Sequence, residues 1–427
     1  MVQYSDADYE EFRKTLNRRA IPSQDVSDVV SGIIADVAAR GDEALVELTS
    51  KFDGADLSEG LMVSEEEWQA AEDAVEERTK KAIEDSLRNI HFFAEKSLRQ
   101  DWSAKNEQGA EVGERFVPFE RVGCYVPGGK APLVSTALMT AGFAKAAGVP
   151  EIVAATPCSP YGTVNPELLY ALKAAGVTEA IKVGGAQGVA ALALGTESIA
   201  PVQKIVGPGN RYVVEAKRQL VGAISLDLLP GPSEIMILAD ETARADYVAA
   251  DLLGQAEHGG DSVVGLVTTS SELLEKVVTE VGRQAATLSR GDYLQKVLTE
   301  GAFAVVVKDL AEGVALVNDF APEHLSLVVA EEERWLSEVR TAGAIYVGAQ
   351  SPVAVGDFLA GPSHTLPTGG SGKSFSGLRA DQFQRRVSIV RLDPESVAAS
   401  LEAVEEFSRV EGLDAHGRSA RIRVSRP

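Results

Sequence analysis

Cysteine is nearly absent: Cys124 and Cys158 are the only two in 427 residues. Two thiols are too few for a disulfide scaffold, and neither lies in Cys-x-x-Cys spacing, so dithiol redox chemistry and thiolate-rich zinc sites are excluded. The reducing cytoplasm is the expected compartment. Long apolar runs are missing as well, since no uncharged stretch reaches the roughly 18 residues of a membrane-spanning helix. The segment Met1 to Glu11 has neither a basic start nor an apolar centre, so no secretory leader is expected there. Positive charge is the third scarcity. Forty-one Lys and Arg against 63 Asp and Glu leave a formal net charge of −22, a field that repels phosphate backbones and anionic bilayers. No nucleic acid and no membrane is expected as a partner.

What is present describes a globular enzyme-sized chain. Hydrophobic residues make up 45% and charged residues 24%, with a mean hydropathy of −0.02, and the length calls for two or more domains. Apolar spacings of three and four predict helices over Val26 to Arg40, Asp42 to Phe52 and Glu65 to Leu98. From about Gly123 short β-branched runs alternate with Ala-rich helical windows, the pattern of parallel βαβ units. Strands are expected near 151–155, 180–183, 204–206 and 223–229, with crossover helices near 166–175, 189–194 and 212–220. A second alternating stretch predicts strands near 234–238, 262–268, 302–307, 325–329 and 344–347, and helices near 244–257, 272–288 and 331–342. A final helix, Pro394 to Phe407, is followed by a short basic tail that reads as an element packing on something else.

The five histidines differ sharply in setting. His91 lies on a helical face, where packing is the ordinary role. Gln255 and His258 stand three apart at a helix end, so both project from one face; they suit a small ion, or His258 simply meets the last carbonyls before Gly259 and Gly260. Glu323 and His324 put a carboxyl and an imidazole side by side before a buried strand. They read as a general-base pair, or as a strand cap. Asp357 and His364 flank a Gly- and Pro-rich polar segment of the kind that lines sites, and His416 follows Glu411 by five residues. Gln255, His258, Asp357 and His416 together form an N/O donor set that suits zinc, with manganese or cobalt possible, although spacing alone does not bring them together. The Gly-x-Gly-x-x-Gly fingerprint is missing. Gly-rich turns follow strand-like runs at Tyr125-Val-Pro-Gly-Gly, Val183-Gly-Gly-Ala-Gln and Val206-Gly-Pro-Gly-Asn, where free backbone N–H groups at helix starts could hold a pyrophosphate.

These segments, with Glu-Ala-Lys-Arg-Gln (215–219), Gly-Pro-Ser-Glu (231–234), Asp-Leu-Leu-Gly-Gln-Ala-Glu-His (251–258), Ala-Pro-Glu-His-Leu (321–325) and His-Thr-Leu-Pro-Thr (364–368) in this order, make the chain resemble the histidinol dehydrogenases over nearly its whole length. The resemblance implies an NAD-dependent oxidation of L-histidinol through L-histidinal to L-histidine, with one zinc ion per site. It places the zinc on Gln255, His258, Asp357 and His416. The acid/base pair falls on Glu323 and His324, further substrate contacts on Ser233, His364 and Glu411, and NAD contacts on Tyr125, Gln187 and Asn210. It also implies an α/β fold of two incomplete Rossmann-like domains with parallel-sheet cores and small terminal helical extensions. The implied boundaries are 1–21, 22–124 with 233–378, the inserted 125–232, and a tail, 379–427, that reaches the partner of an intertwined homodimer. Ser363 stands where many members carry Asn. The rival readings are a related zinc- and NAD-dependent dehydrogenase of another small diol or amino alcohol, and a catalytically silent metabolite-binding protein.

Overall fold

The computed structural model describes residues 2–17, 24–128 and 132–424. Gly129, Lys130 and Ala131, in the first Gly-rich turn, and residues 18–21 of the N-terminal extension lie outside them.

Two parallel sheets form the body. One has the strand order Glu179–Ile181, Glu151–Ala155, Arg121–Tyr125, Lys204–Val206, Ser225–Leu226. Counted within this unit the order is 3-2-1-4-5, that of a dinucleotide-binding sheet without its sixth strand. The other runs Val2–Gln3, Ala302–Val306, Val263–Thr268, Glu234–Ala239, His324–Val328, Ala344–Val347, which repeats that order with Val2–Gln3 added at one edge. Helices cover both faces, which is why strands such as Glu234–Ala239 and His324–Val328 are buried along their whole length and read as continuous apolar runs. Each fully buried Ile, Leu or Phe in these cores contributes roughly 1.5–3 kcal/mol.

The helical segment Gln24–Ser97 gives its apolar faces to the five-stranded sheet. Val30, Val37 and Leu45 pack with Val153, Ile181 and Leu192 on one face, and Leu87, Ile90 and Ala94 with Met139, Phe143 and Ile152 on the other. The six-stranded sheet has its own two cores, drawn almost wholly from residues 235–353. The long helix expected over 65–98 is two, Glu65–Ala74 and Glu77–Ser97, because Val75 and Glu76 are extended and Val75 turns into the interior. The helix expected over 331–342 stops at Leu336, where the Asn318 side chain bonds the Glu338 carbonyl and the Arg340 N–H and draws the chain out of helix.

A third, antiparallel sheet pairs Gln384–Arg391 with Glu111–Pro118, and that with Trp102–Lys105. Beyond it the chain ends in a helical hairpin, Pro394–Glu411 and Asp414–Val424. Val390, Phe407, Val410 and Ile422 are each more than 60% exposed on this arm, an apolar surface that ordinarily finds a partner. Among the described residues no helix is long and apolar enough to cross a membrane.

Candidate active site

The helix Ala245–Ala256 presents Gln255 in its last turn, and His258 follows two residues past its end. His258 Nδ1 lies 3.1 Å from the Gly254 carbonyl. The helix-end reading of this residue is thus seen directly, and its Nε2 faces Asp357 Oδ2 at 4.0 Å. Asp357 sits on the short helix Val353–Phe358. Gly356 lets that helix close on the sheet, since a Cβ there would lie 2.3 Å from the Tyr346 hydroxyl. A cleft of about 100 Å³ is lined by Asp251, Gln255, His258 and Asp357. Gln255 is 2% exposed, yet among the described residues neither its amide nitrogen nor its oxygen has a hydrogen-bond partner, and Asp357 Oδ1 has only the long contact to His324 Nε2 at 3.4 Å. Buried polar atoms without partners are rare and costly; a cation held among them would satisfy the amide and carboxylate oxygens.

The Glu323–His324 pair is held by the main chain of one residue. Glu234 N–H donates to Glu323 Oε2 at 2.8 Å, and the Glu234 carbonyl accepts from His324 Nδ1 at 2.9 Å. His324 Nε2 is thereby aimed at Asp357 Oδ1, 3.4 Å away. Burial pushes Glu323 up to about 8. Burial also opposes a charge on His324, but the carboxylates of Glu323 and Asp357 outweigh it and raise its pKa to about 9. Asp357 pays for burial too, yet His324 beside it, with His364 and His258 farther off, holds its carboxyl below the ordinary value. With both members of the couple shifted upward, the folded chain keeps these protons longer than the unfolded chain. Their stabilising contribution is therefore greatest below the ordinary glutamate value of 4.5 and is lost as pH rises through about 8 and then about 9. In chelator the unfolding midpoint is expected to fall over that window, and thermal scans of Glu323→Gln/His324→Gln should show a flatter decline.

His364 reaches across from the second half of the chain to the first. Its Nε2 lies 3.1 Å from Ser135 Oγ and 3.4 Å from Thr136 Oγ1 on the helix Val134–Ala146, and burial holds its pKa below the ordinary value. Next to it, Ser363 Oγ accepts from Thr365 N–H at 3.0 Å, a turn that an Asn side chain closes in the same way. Ser233 is half-buried immediately before Glu234, its carbonyl accepting from Val263 N–H. Glu411 and His416 are not brought in. Both are exposed on the C-terminal hairpin, and among the described residues no hydrogen bond or ion pair joins either to Gln255, His258 or Asp357. Nor do three or more His, Cys, Asp or Glu of the described residues form a metal-holding group within one chain. Gln255, His258 and Asp357 thus line one cleft, and His416, expected as the fourth donor, does not join them within the chain.

Tyr125, Gln187 and Asn210 meet elsewhere, on the wall of a cavity of about 1130 Å³. Tyr125 ends its strand, and Pro157, Gly185 and Asn210 follow the ends of theirs, so the cavity lies across the carboxyl edge of the five-stranded sheet, where open α/β sheets bind ligands. The backbone N–H groups expected to be free here are partly used. Asn210 Oδ1 caps its own helix by accepting from Tyr212 and Val213 N–H, and Gly185 N–H donates to the Tyr125 hydroxyl at 2.9 Å. The helix Gly185–Leu194 starts without a side-chain cap. Behind the cavity the fully buried pair Lys217–Asp227 grips Gly207: Lys217 Nζ donates to its carbonyl at 2.9 Å and Asp227 Oδ2 accepts from its N–H at 2.7 Å. Gly207 has φ +111° and no room for a Cβ against the Tyr125 carbonyl. Lys217→Met strands a buried carboxylate and is expected to cost about 3–5 kcal/mol, measurable by denaturant unfolding.

Comparison with known proteins decides the family. The histidinol dehydrogenase profile matches residues 16–424. The chain belongs to the histidinol dehydrogenase family. It is therefore an oxidoreductase. Histidinol dehydrogenase of Syntrophotalea carbinolica is 41% identical over 426 residues, 99% of each chain, and that of Geobacillus kaustophilus is 42% identical over 411 residues, 96% of this chain and 97% of the relative. The crystal structure of histidinol dehydrogenase from Elizabethkingia anophelis superposes with a TM-score of 0.95 at 33% identity, covering 99% of this chain and 98% of that one. In this histidinol dehydrogenase family member three residues of the site escaped the sequence reading. Asp251 could have been found, since it stands one helical turn before Gln255. Glu234, which acts through its backbone, and Asp53, which lines the large cavity, leave no such signal.

Proposed function

We propose that this family member catalyses the last step of histidine biosynthesis in the cytoplasm by oxidising L-histidinol through L-histidinal to L-histidine, passing two hydrides in turn to NAD. The observation that carries the reading is Asp357: one carboxylate stands 3.4 Å from His324 and 4.0 Å from His258, beside the unsatisfied amide of Gln255. A half-built N/O donor set thus borders a buried acid/base couple. Gln255, His258 and Asp357 would hold zinc, with His416 of a second copy as the fourth ligand, and such an ion would supply Lewis-acid positioning of the substrate and offset the charge of Asp357. His324 Nε2 then takes the alcohol proton as hydride leaves for the cofactor. Glu323 activates the water that adds to the aldehyde, and the hydrate gives up the second hydride. Ser233, His364 and Glu411 orient the substrate, and the cavity at Tyr125, Gln187 and Asn210 takes NAD. Keeping the aldehyde enclosed between the two steps prevents its escape to water. The exposed apolar arm, with Glu411 and His416 on it, fits a homodimer in which each C-terminal hairpin completes the other subunit's site.

Reaction stoichiometry tests the proposal. Zinc-loaded protein is expected to form two NADH per histidinol consumed. One NADH per histidinol, with aldehyde released, would reject the two-step reading, and a clear preference for another small diol or amino alcohol would move the enzyme to a different substrate.

A further inference from the structure

The wall of the large cavity is uncharged except at one point. Among the described residues that line it, Asp53 bears the only formal charge. Its position is unfavourable for a carboxylate on three counts. It is the last residue of the helix Asp42–Asp53, where the helix presents its negative end. It is half-buried, and burial raises its pKa. Its Oδ2 is shielded from water with no hydrogen-bond partner, and among the described residues no cation pairs with it. A Ser or Asn would fill the same place without these penalties. Local costs of this kind, gathered on a cavity wall, mark groups retained for a ligand.

The ligand that answers a lone anionic acceptor in a neutral wall is one that brings a pair of donors and no negative charge to that point. A ribose 2′,3′-diol does so, since its hydroxyls donate and carry no charge. Resting on the proposed dinucleotide reading of this cavity, we infer that Asp53 binds the adenosine ribose diol of the cofactor and thereby excludes a dinucleotide phosphorylated on that ribose. The choice of ribose follows from the layout of the fold. Pro132, on the cavity wall, leads into the helix Val134–Ala146, whose Ser135 and Thr136 touch His364, so the reactive end of the cofactor belongs on that side. Asp53 enters with Val29 and Ile33 from helices that cover the opposite face of the five-stranded sheet. A 2′-phosphate would carry a charge of about −1.5 to −2 against Asp53, with no described Lys, Arg or His on the wall to offset it. Sheets with the complete glycine fingerprint give this task to an acid beyond their second strand; here an added helix supplies it.

Calorimetric binding of NAD and NADP to the full-length zinc-loaded protein tests the inference without turnover. The parent is expected to bind NAD at least about 100-fold tighter than NADP. In Asp53→Asn the loss of a charged acceptor should weaken NAD about 10- to 100-fold and narrow the preference by at least about tenfold. Asp53→Ser, which opens space, should bind NADP more tightly than the parent does. Neither variant should unfold earlier than the parent in nucleotide-free thermal scans, which separates a ligand contact from a structural one. An unchanged NAD-to-NADP ratio in both variants overturns the role of Asp53 and leaves the cavity assignment standing, whereas failure of the parent to bind NAD overturns the cavity assignment and this inference with it.

Discussion

Replacing His324 by alanine is expected to lower turnover by roughly 10²- to 10⁴-fold, the range lost with a general base, while the zinc content of the purified protein stays at the parent level. The expectation rests on the division of labour at Asp357. Its Oδ1 faces His324 and its Oδ2 faces His258, so the imidazole of His324 can leave without removing a member of the Gln255, His258 and Asp357 set. His324→Asn keeps an N–H near the Nδ1 position, within reach of the Glu234 carbonyl, and serves as the control for folding. It should unfold like the parent and still be as slow as the alanine variant. Metal analysis beside single-turnover kinetics checks both points, and loss of zinc in step with activity would move His324 into the coordination sphere.

The second large effect concerns the arm. His416→Ala and His258→Ala are each expected to lose metal and nearly all activity, yet a mixture allowed to exchange subunits should recover activity. If each hairpin serves the opposite subunit, a mixed dimer has one site with both lesions and one with neither. Random pairing then restores about a quarter of the parent rate, because half of the dimers are mixed and half of their sites intact. Activity measured after dilution-driven exchange, with the mixed species verified by mass spectrometry, decides the matter. No recovery from a verified mixture would place His416 within its own chain's chemistry or outside the site altogether.

Much of the architecture was legible because burial leaves a signature in residue type. Runs such as Ile235–Ala239 and Ile152–Ala155 are apolar because helices cover both faces of their sheets, and they were placed to within about two residues. The antiparallel sheet was not foreseen. All of Trp102–Lys105 and nearly all of Gln384–Arg391 are exposed in the single chain, so no alternation of inside and outside residues marks them. The helix Val134–Ala146 was missed for the opposite reason: Thr136 through Ala144 are buried on every side, which erases the periodicity of an amphipathic helix. At the site, Gln255 and His258 carried a spacing and Glu323–His324 a chemistry, so both could be singled out. Their convergence on Asp357, about a hundred residues away from Gln255, is a property of the sheet and not of any local pattern. The grouping of the helices over 24–97 with the five-stranded sheet was likewise invisible, since an apolar helix face does not name the surface it will cover.

The two bonds that Glu234 makes through its main chain tie the chemistry to the alignment of neighbouring strands. His324 stands opposite Ile235 in the sheet, so the imidazole receives its orientation from the same ladder that joins the two strands. Both bonds use main-chain atoms of Glu234, so proline there, which lacks the N–H, would remove the one to Glu323 outright. A slip by one residue would turn the imidazole to the other side of the sheet. Heat inactivation of this enzyme should therefore track the parting of central strands, and loosening of the surface loops should leave the rate untouched.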